Sequence, residues 1–207
     1  RSVIVGCSSA GEVHGTAVRD GSLAVTVTRF DRTELRLASA EVAEIDDSEA
    51  AGAALGRQLG EKEGLRAVLV FADGVAVNGA ALARGLGAAA GPGVTVTGGL
   101  AADGLDFRAP WVTVGGTLKR GVAVAVGLYG PSVVVGHGVS EDWLPQAAEW
   151  RITRAEGNFV YELDGRPALE AYRAALGDRG DELPEVAVWF PLAVRTGAAA
   201  PVVRTVL

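Results

Sequence analysis

The apolar positions of this chain fall into two alternating periods. Residues 66–74 (RAVLVFADG) form an unbroken apolar run, which predicts a strand covered on both faces of a sheet. Leu82, Leu86 and Ala89 follow at helical spacing behind Asn78, a residue type that caps helices, and 91–99 (GPGVTVTGG) returns to strand. Together these make a βαβ unit over 66–99 with parallel strands and a right-handed crossover. Upstream, 2–6 reads as a buried strand, and the β-branched alternation of 22–30 (SLAVTVTRF) and of 34–42 predicts two more. Asp46, Asp47 and Ser48 offer N-caps to a helix carrying Ala51, Leu55 and Leu59, which Gly60 and Gly64 end.

Beyond residue 100 the pattern shortens. Positions 111–115, 121–128, 132–138 and 147–153 read as short strands broken by Gly and Pro, an antiparallel meander. A helix over 167–176 has Pro167 at its first position, Gly177 past its end, and an apolar stripe of Leu169, Tyr172 and Leu176. A strand over 186–190 follows. The expected fold class is α/β, with mixed β-sheet layers, packed helices, one βαβ unit (66–99) and the meander after it. Trp111, Trp150 and Trp189 fall in predicted strands, and Trp143 in a polar turn.

Composition narrows the function classes. The chain has 207 residues, 49% hydrophobic and 21% charged, which suits a globular protein with a real core. A net charge of -6 argues against nucleic acid as a partner, because phosphate binding needs a basic patch. No apolar run is long enough for a membrane span and no leader is visible, so no membrane partner is expected. One cysteine makes no internal disulfide and suits the cytoplasm. The sequence opens in mid-strand, contains no Met and ends on PVVRTVL, a strand-like run, so it is expected to be part of a longer chain.

Candidate chemistry gathers where predicted strands end. In VIVGCSSAGEVHG (3–15), Gly6-Cys7-Ser8-Ser9-Ala10-Gly11 misses the spacing of a nucleophile elbow. A reactive Cys7 needs a basic neighbour, and a buried cysteine is more often a small hydrophobe. A ligand-facing loop and a plain turn both remain open for Cys7, Ser8 and Ser9. Metal chemistry is weakly supported, since His14 and His137 are the only histidines and neither sits in a ligand motif. A single histidine still suffices as an axial haem ligand. Asp73 lies past a buried strand, and Gly98 and Gly99 allow close backbone approach to a ligand, with Asp103 behind them. Parallel strands at 66–72 and 94–98 place Asp73, Asn78, Gly98, Gly99 and Asp103 on one sheet edge.

Six stretches in order then resemble the FIST family, sensory domains of bacterial signal transduction also found in some F-box proteins. They are VIVGCSSAGEV (3–13), VLVFADGVAVNGAALARGL (68–86), VTGGLAADGLDF (96–107), DWLP (142–145), ITRAEGNFVYELDGRPALEAY (152–172) and WFPLAV (189–194). The resemblance assigns 1–150 to an N-terminal ligand-sensing region and 151–207 to the start of a C-terminal one, most of which is missing. It implies an intracellular, non-enzymatic sensor of an amino acid or similar metabolite that signals through a downstream protein. Some members bind haem and report nitric oxide, so haem is a possible cofactor. A hydrolase using Cys7 or Ser8 is the other alternative. No catalytic residues carry over from the family. Gly6, Cys7, Ser8, Gly11, Glu12, Asp73, Asn78, Gly98, Gly99 and Asp103 do, as pocket or structural signature. The expected ligand site is Cys7, Ser8, Ser9, Asp73, Asn78, Gly98, Gly99 and Asp103.

Overall fold

The computed structural model describes residues 2–136, 138, 143–144, 148–197 and 201–206. The chain separates into two compact units, Arg1–His137 and Gly138–Leu207. The first contains β1 (Val5–Cys7), β2 (Glu12–His14), β3 (Ala17–Arg19), β4 (Glu34–Glu41), α1 (Ser48–Gly60), β5 (Leu65–Asp73), α2 (Gly79–Ala90), β6 (Thr95–Ala101), β7 (Val112–Val114), β8 (Thr117–Lys119) and β9 (Val122–Tyr129).

Its centre is a four-stranded sheet in the order β4-β9-β5-β6. β5 and β6 are parallel neighbours, as the βαβ reading requires. β9 runs antiparallel to both β4 and β5. The strands after 111 are antiparallel as expected, yet they divide between two sheets. β7 pairs with both β1 and β8, while β9 enters the centre of the larger sheet. Its burial explains this placement: all of Val122–Gly127 is buried, and an apolar run of that kind belongs between neighbours.

Alternation along β5 and β9 feeds two apolar layers. Val68, Val70, Ala72, Ala123 and Ala125 pack with Leu55, Leu59, Leu82 and Leu86 of the helices. Each fully buried leucine contributes about 1.5–3 kcal/mol. Val122 and Val124 point the other way and pack with Val112, Ala101, Phe71 and Cys7. The helices lie backbone to backbone: a Cβ on Gly52 would stand 2.1 Å from the Leu82 carbonyl oxygen, and one on Gly85 would stand 2.1 Å from that of Glu49. The Ser48 hydroxyl, wholly buried, donates to the Ile45 carbonyl and accepts the Asn78 N–H at 2.9 Å. It thereby ties the start of α1 to the start of α2.

The second unit holds β10 (Ile152–Glu156), β11 (Phe159–Leu163), β12 (Arg166–Pro167), α3 (Ala168–Leu176), β13 (Leu192–Val194) and β14 (Val202–Arg204). β10, β11 and β12 form one antiparallel sheet and β13 pairs with β14. Pro167 caps α3 instead of opening it. Ala171 and Tyr172 are the buried side chains of α3, and Leu169 is exposed.

Four expected strands are corrected. Residues 22–30 are exposed and pair with no strand among the described residues, because β-branched alternation does not satisfy backbone groups without a neighbour. Residues 133–136 form no strand, and His137 lies outside the described residues. The strand expected at 147–153 lies at 152–156, with Gln146 and Ala147 outside the described residues. Residues 185–189 form a 3-10 helix that buries Val186 and Ala187, so Trp189 is helical and exposed. A five-residue apolar run fits either state, and Pro184 just before it decides for the turn. Trp143 is exposed as its polar setting implies, and its neighbours Asp142 and Pro145 lie outside the described residues.

Candidate functional site

The register brings several chain ends to one sheet edge. β9 pairs Val122 with Glu41 at the end of β4 and Ala123 with Ala72 near the end of β5, while Asp73 faces Ala101 on β6. The carboxyl ends of β4, β5 and β6 therefore sit together with the amino end of β9. Open α/β sheets place ligands at such an edge. The exit of β1 joins them, since the Ala102 N–H donates to the Ser8 carbonyl at 3.1 Å. Ser8 and Ala102 thus meet beside the end of β5, where Asp73 pairs with Ala101.

The polar groups of these segments are largely turned on one another. Asp73 is 3% exposed, and its carboxylate accepts the N–H groups of Val75 and Ala76 at 3.0 Å and of Gly121 at 2.9 Å. The Ser8 hydroxyl accepts the Trp111 N–H at 2.9 Å. The Asn78 side chain accepts the Ala81 N–H at 3.1 Å and caps α2. Asp103 accepts the N–H groups of Ala109 at 2.6 Å and Arg108 at 2.9 Å, closing the 103–109 loop. These donors, Ala109 first, hold the Asp103 carboxyl below the usual carboxylate range. Ser9 and Ser22 both donate to Glu12, and those hydroxyls, Ser22 first, hold the Glu12 carboxyl below its ordinary value.

Cys7 is half-buried against the apolar layer, and burial pushes its thiol up. That is opposite to what a nucleophilic cysteine needs. His14 is exposed on β2. Among the described residues no group of three His, Cys, Asp or Glu side chains could hold a metal ion. Among them, too, no helix is long and apolar enough to cross a membrane.

Gly98 and Gly99 are not at a strand end. They lie inside β6, opposite Val70 and Phe71. Gly98 has φ 153°, and a Cβ there would fall 1.8 Å from the Val70 carbonyl oxygen, so this position admits only glycine. Both glycines line an apolar groove of about 270 Å³ between β6 and α2, with Val70, Leu82, Val96 and Leu100.

The larger cavity, about 460 Å³, opens at the carboxyl edge itself. It is an open depression lined by Glu41, Val42 and Ala43, as the chain leaves β4, and by Lys119, Arg120 and Gly121 between β8 and β9. Val42 donates to the Gly121 carbonyl at 2.8 Å, and the Gly121 N–H is the one held by Asp73. One acidic and two basic residues thus line the depression. Arg120 also reaches back, its Nη2 donating to the Arg108 carbonyl at 2.6 Å. Sequence reasoning missed Glu41, Lys119 and Arg120. The signal available was a Lys-Arg pair followed by Gly, directly before a strand, in an acidic chain.

A family model described as the FIST N domain matches residues 1–166, and the chain belongs to that family. The FIST family is one of sensory domains. No curated protein and no solved structure matches the chain.

Proposed function

We propose that the first unit is the receiving module of a sensor and that its input is a small metabolite of the amino-acid class. The observation that carries this reading is the cavity of about 460 Å³ lined by Lys119, Arg120 and Glu41. A free amino acid presents a carboxylate and an ammonium on one carbon. Lys119 and Arg120 suit the first group and Glu41 the second. Asp73 then holds one side of the cavity through Gly121, while Ser8, Asn78 and Asp103 fix the loops and helix start around it. Gly98 and Gly99 line the neighbouring groove, and Cys7 packs in the layer beneath.

A sensor must bind its ligand unequally in two states. Arg120 supplies a physical route, because a ligand carboxylate competes with the Arg108 carbonyl for the same guanidinium. Occupancy would release the 103–109 loop from Arg120 and change the surface offered to a downstream signalling protein. We place the domain in the cytoplasm, where its single thiol stays reduced.

A thermal-shift screen against amino acids, their decarboxylated amines, their deaminated acids and haemin tests the proposal. A ligand at about 100 times its Kd adds roughly 2.7 kcal/mol, a shift of several degrees for a chain of this size. A shift with an intact amino acid and none with either half-analogue supports the reading. A shift with haemin alone replaces it with haem sensing, and silence across the panel removes it.

A further inference from the structure

The segment 22–30 exposes an alternating run of apolar side chains. Leu23, Val25 and Val27 are 83%, 72% and 91% exposed, on backbone that forms no strand and pairs with no strand among the described residues. Their alternation puts all three on one face of a strand, with Ala24, Thr26 and Thr28 on the other. No charge interrupts the run before Arg29. Exposed, unpaired backbone with a strand-like side-chain pattern is a template for pairing.

A matching vacancy lies on the same chain. β4 is an edge of the four-stranded sheet, and among the described residues no strand lies beyond it. Ala38 packs toward the helices, so Leu35 and Leu37 face the other side. Leu37 is 37% exposed there, its Cδ2 3.9 Å from where a Cβ on Gly115 would stand, at the β7–β8 turn. Only Asp31, Arg32 and Thr33 separate the unpaired segment from β4. In an antiparallel register that sets Phe30 opposite Glu34, Val27 falls opposite Leu37 and Val25 opposite Ser39. Parity then puts Leu23, Val25 and Val27 on the same face as Leu35 and Leu37. Leu37 gains cover on that face.

In this chain the segment does not fold back. Ser22 at its start is held by Glu12 at the start of β2, and the chain bends at Asp31 and Arg32. The donor strand and the acceptor edge are both left open. Because one chain carries both, two copies satisfy each other, and such reciprocal exchange across a short link is a low-cost route to a dimer. We propose that residues 22–30 of one copy add as an antiparallel strand to the β4 edge of a second copy, and the reverse, giving a symmetric dimer.

Light scattering on the full chain, with cysteine cross-linking, tests this. In a Cys7→Ala background, one preparation carries Val25→Cys, a second carries Ser39→Cys, and a third carries both. The expected results are a dimer for the unmodified chain and a disulfide between the Val25→Cys and Ser39→Cys chains when they are mixed. Val25→Asp with Val27→Asp in the unmodified background should weaken dimerisation by about tenfold or more in Kd with the circular dichroism spectrum retained. A monomeric unmodified chain overturns the proposal. So does a dimer that survives the two aspartates. A doubly substituted chain that closes on itself as a disulfide-bonded monomer shows a hairpin within one copy and overturns it equally.

Discussion

The carboxylate of Asp73 accepts the backbone N–H of Gly121 at 2.9 Å, joining the end of β5 to the start of β9 across a long stretch of sequence. The same carboxylate closes the turn after β5 through Val75 and Ala76. One buried side chain therefore fixes the position of Gly121, which is a wall of the larger cavity. Asp73 is a framing residue: it holds the wall and does not face the cavity.

Replacing Asp73 with Ala strands the N–H groups of Val75, Ala76 and Gly121. Loss of hydrogen bonds to a charged acceptor, plus the desolvation left behind, sets a cost of about 2–4 kcal/mol. Urea denaturation should show a clearly lower midpoint for Asp73→Ala, with Asp73→Asn in between. A midpoint unchanged from the parent would refute the framing role.

Gly98 and Gly99 are adjacent and chemically identical, yet their substitutions should differ. A Cβ at 98 meets the Val70 backbone, whereas one at 99 meets nothing within 4 Å. Gly98→Ala should cost roughly 3 kcal/mol or more, by strain and by forcing β6 away from β5. Gly99→Ala should stay within about 1 kcal/mol. Melting temperatures of the two variants decide it, and equal losses would contradict the register of β6.

These glycines show where the sequence stops being readable. β5 and the two helices of the first unit carry their own evidence, in a continuous apolar run and in capped 3.6-residue periods. A glycine pair inside a strand looks from sequence like the strand's end, because only a neighbour 28 residues earlier, the Val70 carbonyl, explains why a side chain is excluded. Residues 22–30 show the converse, a strand pattern whose partner no local signal supplies. The larger cavity was illegible for the same reason. Its walls come from the exit of β4 and the entry to β9, which only the sheet order makes neighbours.

Acid should loosen the 103–109 loop. The Asp103 carboxyl titrates below the ordinary aspartate value of about 3.9, because Ala109, Arg108 and Phe107 donate to its charged form. A depressed folded value stabilises above the unfolded pKa, and that contribution disappears as pH falls through the folded one. Urea stabilities of the parent and of Asp103→Ala should differ fully at about pH 6 and converge below about pH 4. A gap that stays constant with pH would assign the loop to packing and not to the carboxylate.

Cys7 should be a poor nucleophile. Burial raises its pKa, so the thiolate fraction at neutral pH is below that of a free thiol. Its reaction with a thiol reagent in the folded chain should be slower than in urea. Faster reaction in the folded state would revive covalent chemistry at this position.

The most direct test of the ligand site is calorimetric titration with the amino acid that gives the largest thermal shift, comparing the parent with Lys119→Ala and Glu41→Ala. Both side chains line the cavity of about 460 Å³ without serving its frame. Each loss should weaken binding by about tenfold or more while the melting temperature of the free protein holds. Undiminished affinity in both variants would place the ligand elsewhere and contradict the assignment of this cavity as the sensing site.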